Sequence, residues 1–460
     1  MAMTPSTPPP QPRSEIWWSN GIFFVLLHVA AAIGVYYYPI YSVPRATLVL
    51  SLVLTQAAMM AITVGYHRLY SHRAFRAAYS VRVLLALLGA SAMQGSIKVS
   101  HSRLIGYGLS QANFLDSGVT STSIRSVRHR LHHRFTDDPI HDPYAASRGF
   151  LWSHMGWIFF KSRYERMELI DKDDLDRDPV VQFQHQYFIP LAVVLGLVAP
   201  PFIGLLWGDF HGCFVWAALV ARLLIWHSTF FVNSLAHWDG LQPYTDENTS
   251  KSNLVGLNFL IAPRRTPFNV QHTLFFPTVA VRLSYGLLPQ HHAFPHDYRS
   301  GPDPFDWDPS KWAILLLRLT GLASGLKQAR PSDISEAQDY MLHKVSAEEY
   351  VDSSKGEKST DDWEGDRWTF AEVKSHVEAA RLSGRCILII DGYVIDATSY
   401  LGEHPGGSSL LRAYSTNTIT DLGEVEKRAA WAFNGGMNNH SRAAKKRLQE
   451  LRVAQIAPTL

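Results

Sequence analysis

Four stretches of the chain are apolar over lengths that suit a lipid bilayer, and the segments between them are polar. Crossing the hydrocarbon core takes roughly 20 apolar residues in a helix. Gly21–Val43 and Ala46–Tyr66 contain no Asp, Glu, Lys or Arg and stand nearly back to back. Ile189–Gly208 is equally apolar but holds Pro200-Pro201, which predicts a kink. Gly212–Val232 is apolar except for Arg222. Buried helices of a soluble protein are the alternative reading, and two adjacent uncharged runs argue against it. An even number of spans returns the chain to its starting side. The segment after the second run carries Arg68, Arg73, Arg76, Arg82 and Lys98, whereas the loop Tyr38–Arg45 has Arg45 alone. The positive-inside rule then predicts that both termini and the long polar segments face the cytosol.

Histidines crowd the ends of these runs. His67 and His72 close the second run, His129, His132 and His133 form H-x2-HH, Asn233 and His237 follow the fourth run, and His291-His292 comes later. All fall on the same predicted side. On a helix His129, His132 and His133 share a face, as do Asn233 and His237. His67 and His72 are five apart, about 140° around an ideal helix, so one of them is expected at a frayed end or bend. Neutral imidazole is a good ligand for iron, copper or zinc, and a set without bridging carboxylates suits redox iron better than magnesium or calcium. His141 lies in a Pro/Asp-rich loop, and His154 and His227 sit among aromatic and aliphatic residues; all three read as structural.

Composition narrows the rest. A length of 460 residues allows two or three domains, and a mean hydropathy of −0.05 averages over segregated apolar and polar regions. A net charge of +3 without Lys/Arg blocks gives no reason to expect nucleic acid. Cys213 and Cys386 are too few and too far apart for a disulfide framework or thiolate metal site, which fits a reducing compartment. Residues 1–14 are Pro-rich and read as disordered, and no cleaved signal peptide is expected. Residues 15–330 form the membrane domain, 331–366 a linker and 367–455 a small second domain.

In that second domain, Cys386–Ile390 and Gly392–Asp396 are strand-like. His404-Pro405-Gly406-Gly407 then sets an imidazole beside a turn poor in Cβ atoms, where a flat ring can approach closely. His440 is the natural second axial ligand. This resembles cytochrome b5, and two protein ligands on haem iron leave no open position, which implies electron transfer.

The membrane domain resembles the acyl-CoA Δ9 desaturases in Gly65-Tyr66-His67-Arg68-Leu69-Tyr70-Ser71-His72 and in His129-Arg130-Leu131-His132-His133-Arg134-Phe135-Thr136-Asp137. Asn233-Ser234-Leu235-Ala236-His237-Trp238 and His291-His292-Ala293-Phe294-Pro295-His296-Asp297-Tyr298-Arg299 match later motifs. With haem behind them, the whole is similar to the fungal stearoyl-CoA desaturases fused to cytochrome b5. The resemblance implies a mainly α membrane protein, four spans under a cytosolic helical cap, and a small α+β haem domain. It implies two non-haem iron ions held by His67, His72, His129, His132, His133, His237, His291 and His292, with Asn233 acting through water. It further implies haem b on His404 and His440, O2 as co-substrate, and a cis double bond placed at carbon 9 of a saturated acyl-CoA. NADH would supply electrons through cytochrome b5 reductase at the endoplasmic reticulum membrane.

Two segments depart from the pattern. Val99–Arg128 is Ser-rich where the family has a short Trp-rich segment, and from about Ser252 to Gln290 the expected third box is altered. Leu288 occupies the position of that box's first histidine, so one ligand is missing. Ser415–Arg428 is also longer than usual. The two larger departures read as misjoined coding segments or as true divergence. A weakened or silent desaturase is therefore expected, with a membrane-tethered electron carrier and a b5-fused fatty-acid hydroxylase as the alternatives.

Overall fold

The computed structural model describes residues 15–97, 125–161, 166–238, 240–251, 288–348, 363–404, 406–435 and 440–457. Four helices are long and apolar enough to cross a membrane: Trp18–Tyr37, Arg45–Ser71, Phe188–Trp207 and Phe210–Trp238. The first stops well short of Val43, because Pro39 follows its last turn. Of the most apolar windows, 50% of the second span and 61% of the fourth are buried inside the protein, against 28% for the first and third. The inner pair also carries the clustered histidines His67 and His237.

Three spans leave regular α geometry: the fourth winds widely over Phe214–Val220, and the other two depart for a local reason. The third winds more widely over Val194–Val198, just before Pro200 and Pro201, where two N–H donors are missing. The helix is thereby loosened and continues to Gly204. The second winds widely over Ala61–Ser71 and ends with the His72 N–H donating to the His67 carbonyl at 3.0 Å. That bond spans five residues, so His67 and His72 come round to one face with ring centroids 4.8 Å apart. The expected frayed end or bend is replaced by this wider turn. Arg73 then takes φ of 52°, and the left-handed residue ends the helix.

Polar side chains join the spans. His28 Nε2 lies 2.9 Å from His227 Nε2, His227 Nδ1 lies 3.0 Å from His154 Nε2, and His154 Nδ1 lies 3.0 Å from Ser234 Oγ. The row ties the first span to the end of the fourth, as hydrogen bonds do in apolar surroundings. Arg222 donates to the Ser91 carbonyl and Trp226 Nε1 to the Ala92 carbonyl at 2.9 Å, which closes the C-terminus of the Tyr79–Ser91 helix.

Beyond the spans, the helix Arg125–Arg134 and the short helix Leu288–Ala293 close over the ends of the second and fourth spans. The chain after Leu288–Ala293 is anchored by Arg68, which donates to the Tyr298 carbonyl (2.6 Å), Ser300 Oγ (2.7 Å) and Asp308 Oδ1 (2.8 Å). Asp308 in turn accepts from the Ser300 and Lys311 N–H groups and caps the helix Pro309–Leu319. The helix Pro331–Glu348 lies within the stretch read as linker. Ile334 and Ala337 of that helix pack with Tyr244 and Phe294, so its first half is part of the folded body.

The C-terminal module is a four-stranded sheet, with Arg367–Trp368, Arg452–Ile456, Tyr393–Asp396 and Ile387–Ile390 side by side in that order. Asp391 and Gly392, at φ of 51° and 76°, form the two-residue turn joining the last two as an antiparallel hairpin. Val373 and Val377 of the helix Phe370–Leu382 pack with Ile387, Ile389, Val394 and Val425.

Arg68 and Asp308 are 2% and 0% exposed, so removing one partner leaves an uncompensated buried charge. Asp308→Ala should cost about 3–5 kcal/mol. It is expected to lower the apparent melting temperature of detergent-purified protein sharply, whereas Asp173→Ala, at an exposed pair, should leave it nearly unchanged.

Candidate metal centre

Imidazoles from four chain segments meet at the polar ends of the inner spans. His67, His72, His129, His133 and His291 form one group, and His132, His237 and His292 another; within each group the ligand nitrogens lie within 4.8 Å of one another. The helix Arg125–Arg134 therefore divides its histidines, sending His129 and His133 to the larger group and His132 to the smaller. Adjacent His291 and His292 divide likewise. The fourth span divides too: it breaks at Ser234, so Asn233 lines a cavity with His67 and His129 while His237 joins the smaller group.

In the larger group the Nε2 atoms converge. His67 and His291 are 3.0 Å apart, His291 and His133 3.0 Å, His133 and His129 3.1 Å, and His129 and His72 2.9 Å. His129, His133 and His291 each face two other Nε2 atoms, and one ring nitrogen cannot both donate and accept. A cation at the centre would turn those opposed lone pairs into ligands. Burial first, then neighbouring imidazoles, hold His72 and His133 well below their ordinary pKa. Burial also pushes His291 down to about 3. Neutral rings are the form that binds metal.

The smaller group is built differently. His132 Nδ1 lies 2.8 Å from Asp142 Oδ1. Burial pulls His132 down, but the charge and hydrogen bond of Asp142 outweigh it and raise its pKa. His237 Nδ1 lies 2.9 Å from Thr249 Oγ1, and Thr249 donates from Oγ1 to Asp137 Oδ1 (2.7 Å) and from its N–H to Asp137 Oδ2 (2.6 Å). Asp137 has φ of 67°, a left-handed turn that Asp tolerates, and this doubles the chain back towards Asp142. His237 Nε2 is buried without a hydrogen-bond partner. A ring oriented through Nδ1 with a bare inward Nε2 is how protein imidazoles present themselves to a metal. The donor set thus fits a pair of transition-metal ions, with the smaller position poorer in imidazole and richer in carboxylate support.

Sequence reading did not single out Asp142 or Thr249. Asp137 stood inside a quoted motif, but its role depends on Thr249, 112 residues away. His141 pairs with Asp138 at 2.7 Å and enters neither group; nor do His154 and His227, which belong to the interhelical row. Val99–Ile124, Ser252–Leu287 and residues 1–14 lie outside the described residues.

A cavity of about 130 Å³ opens from His67, His129 and Asn233 and runs between the spans to Phe188, Ala192 and Trp226. Polar at one end and apolar along its length, it suits an extended hydrocarbon.

In the C-terminal module, His404 Nδ1 lies 3.3 Å from the Gly407 carbonyl and His440 Nδ1 2.9 Å from the Phe433 carbonyl. Both rings keep Nε2 for another partner. Burial, then His440, push His404 down to about 4, so it is a neutral ligand. Gly407 has φ of 88°, a conformation that L side chains rarely adopt.

Comparison with known proteins agrees with this two-part architecture. The family model for the cytochrome b5-like haem/steroid binding domain matches residues 369–457. A probable acyl-CoA desaturase of Schizosaccharomyces pombe is 30% identical over 453 residues, spanning 96% of this chain and 78% of that protein. Acyl-CoA desaturase 1 of Saccharomyces cerevisiae is 32% identical over 399 residues, 86% of this chain and 65% of that protein. Human stearoyl-CoA desaturase 5 is 28% identical over 326 residues, 69% and 82% of the two chains. This is a membrane-bound oxidoreductase with a fused haem domain. The chain belongs to the acyl-CoA desaturase family.

Outer partners of metal-bound histidine typically contribute 10–100-fold to affinity. Asp142→Asn and Thr249→Val should each weaken iron retention on the order of 10–100-fold in a chelator competition, with the far-ultraviolet circular dichroism unchanged. In the haem module, His404→Ala should abolish the Soret band while Asp142→Asn leaves it intact.

Proposed function

We propose that this chain inserts a cis double bond at carbon 9 of a saturated acyl-CoA at a pair of iron ions, with electrons arriving through its own haem domain. The observation that carries this reading is the convergence of eight histidines in two groups, two of whose rings, His67 and His129, line an apolar cavity. His67, His72, His129, His133 and His291 would hold one iron and His132, His237 and His292 the other, with Asn233 acting through a water. When bound, the iron pair supplies dioxygen activation and hydrogen abstraction.

The remaining work falls to the protein. Tyr66, Phe188, Ala192 and Trp226 wall the cavity, exclude water and fix which carbons lie beside His67 and His129. Asp142 and the Thr249–Asp137 pair hold His132 and His237 in their ligating orientations. Reduction of dioxygen to water takes four electrons; two come from the acyl C–H bonds and two from outside. A tethered donor raises the effective concentration of that reductant. We further propose NADH–cytochrome b5 reductase as its source and the endoplasmic reticulum as the membrane, with both termini cytosolic. The domain limits proposed are 15–330 for the desaturase domain and 367–455 for the haem domain.

Leu288 favours an attenuated enzyme and gives the second reading, a silent electron carrier, its support. Leu288 and His292 stand one turn apart on the helix Leu288–Ala293, so a histidine at 288 would share a face with His292. Purified chain is expected to hold less than a full pair of irons and to turn over slowly. Leu288→His should raise both iron content and oleoyl product, the product on the order of tenfold. Full iron loading and family-level turnover of the unaltered chain would refute the attenuation. A hydroxylated product in place of an alkene would refute desaturation itself.

A further inference from the structure

The haem module is seated on the desaturase domain with its ligand-bearing turn against Asp171 and Arg73, the residue that follows His72. Gly407 shows how close the approach is: a Cβ there would lie 2.1 Å from Asp171 Oδ2 and 2.8 Å from Arg73 Nη1. Arg73, paired with Asp171 at 3.2 Å, directly follows His72. Arg134, which directly follows His133, lies close enough to His404 and His440 for its charge to bear on both. Arg73, adjacent to His72, therefore faces the turn, and Arg134, adjacent to His133, acts on both imidazoles through its charge. Haem b bears anionic propionates, which such a cationic surface complements.

A second seam holds the module from the side. Arg330 donates to both oxygens of Glu450 at 2.9 and 3.1 Å, and Lys446 pairs with Glu336. The Arg442 guanidinium lies 3.4 Å from the centre of the Tyr340 ring and 3.3 Å from Asp246, and the Arg442 backbone N–H donates to Glu247 at 2.8 Å. Every one of these contacts joins the helix Arg442–Glu450 to the desaturase domain or to the helix Pro331–Glu348. Arg330 and Glu450 are 45% and 31% exposed, so the seam is accessible to salt.

We propose that the face formed by Arg73, Arg134 and Asp171 is the docking surface for this chain's own haem module, that the Arg330–Glu450 seam holds it there, and that a separate haem protein is thereby kept from that face. The inference rests on the electron-transfer reading above. Each docking passes a single electron: the module is oxidised by one, the centre beyond His72 and His133 is reduced by one, and no bond is made or broken. A flavoprotein reductase restores the module's electron.

The test uses full-length haem-loaded chain in lipid nanodiscs. Arg330→Glu and Glu450→Arg each set like charges across the seam. Each should raise amide exchange in Arg442–Glu450 and slow first-order reoxidation of the haem by about tenfold, with an unchanged Soret band. The double variant restores the opposite-charge pair and should recover both. Added soluble cytochrome b5 should leave the unaltered chain unaffected and accelerate the single variants. Unchanged exchange in both single variants, failure of the double variant to recover, or acceleration of the unaltered chain by soluble cytochrome b5 would each overturn the proposal. Absence of lipid product from a chain that docks normally would refute the proposed desaturation and leave the docking surface standing.

Discussion

Burial and neighbouring rings hold His72, His133 and His291 neutral, and neutral imidazoles packed together cannot all satisfy one another. The five Nε2 atoms of the larger group face each other at about 3 Å, a spacing at which lone pairs repel unless a proton or a cation lies between them. Much of the surrounding geometry serves that convergence. The wide winding of Ala61–Ser71 turns His67 and His72 to one side, and the left-handed residues Arg73 and Asp137 redirect the chain directly after ligand-bearing segments. Each is locally less favourable than a regular helix, and each is held by surrounding packing.

The buried Arg68–Asp308 pair has the same logic. Desolvating both charges offsets most of their attraction, so the pair is weak evidence for stability by itself. Its value lies in placement. Arg68 neighbours His67, and its partners Tyr298, Ser300 and Asp308 all follow His291-His292. One guanidinium thus fixes the distance between two ligand segments more than 200 residues apart in sequence.

The two histidine groups are unequal. The larger group gathers five imidazoles whose Nε2 atoms meet one another. The smaller has fewer rings, but Asp142 acts directly on His132 and Asp137 acts on His237 through Thr249. Carboxylate partners raise imidazole basicity and fix ring orientation, which offsets part of a missing ligand. The cytochrome b5-like module sits beside the segment of the larger group, with its Gly407 turn against Arg73 and Asp171.

The sequence by itself determined what depends on neighbours along the chain. Apolar length marked the four spans, Cys386–Ile390 a strand, and the histidine boxes the eight rings that meet. It misplaced features that depend on contacts across the fold. Period alone put His129, His132 and His133 on one face, but the structure divides them, because each ring goes where distant rings and carboxylates receive it. Five-residue spacing suggested a bend at His67 and His72, whereas packing of an inner span permitted a wider turn. Residues 331–366 looked like a linker because they are polar, yet Pro331–Glu348 is helical and Ile334 packs on Tyr244 and Phe294. Local pattern sets which elements form; the sharing of ligands, their hydrogen-bonded partners and the seat of the haem module arise only when segments hundreds of residues apart compete for the same buried space.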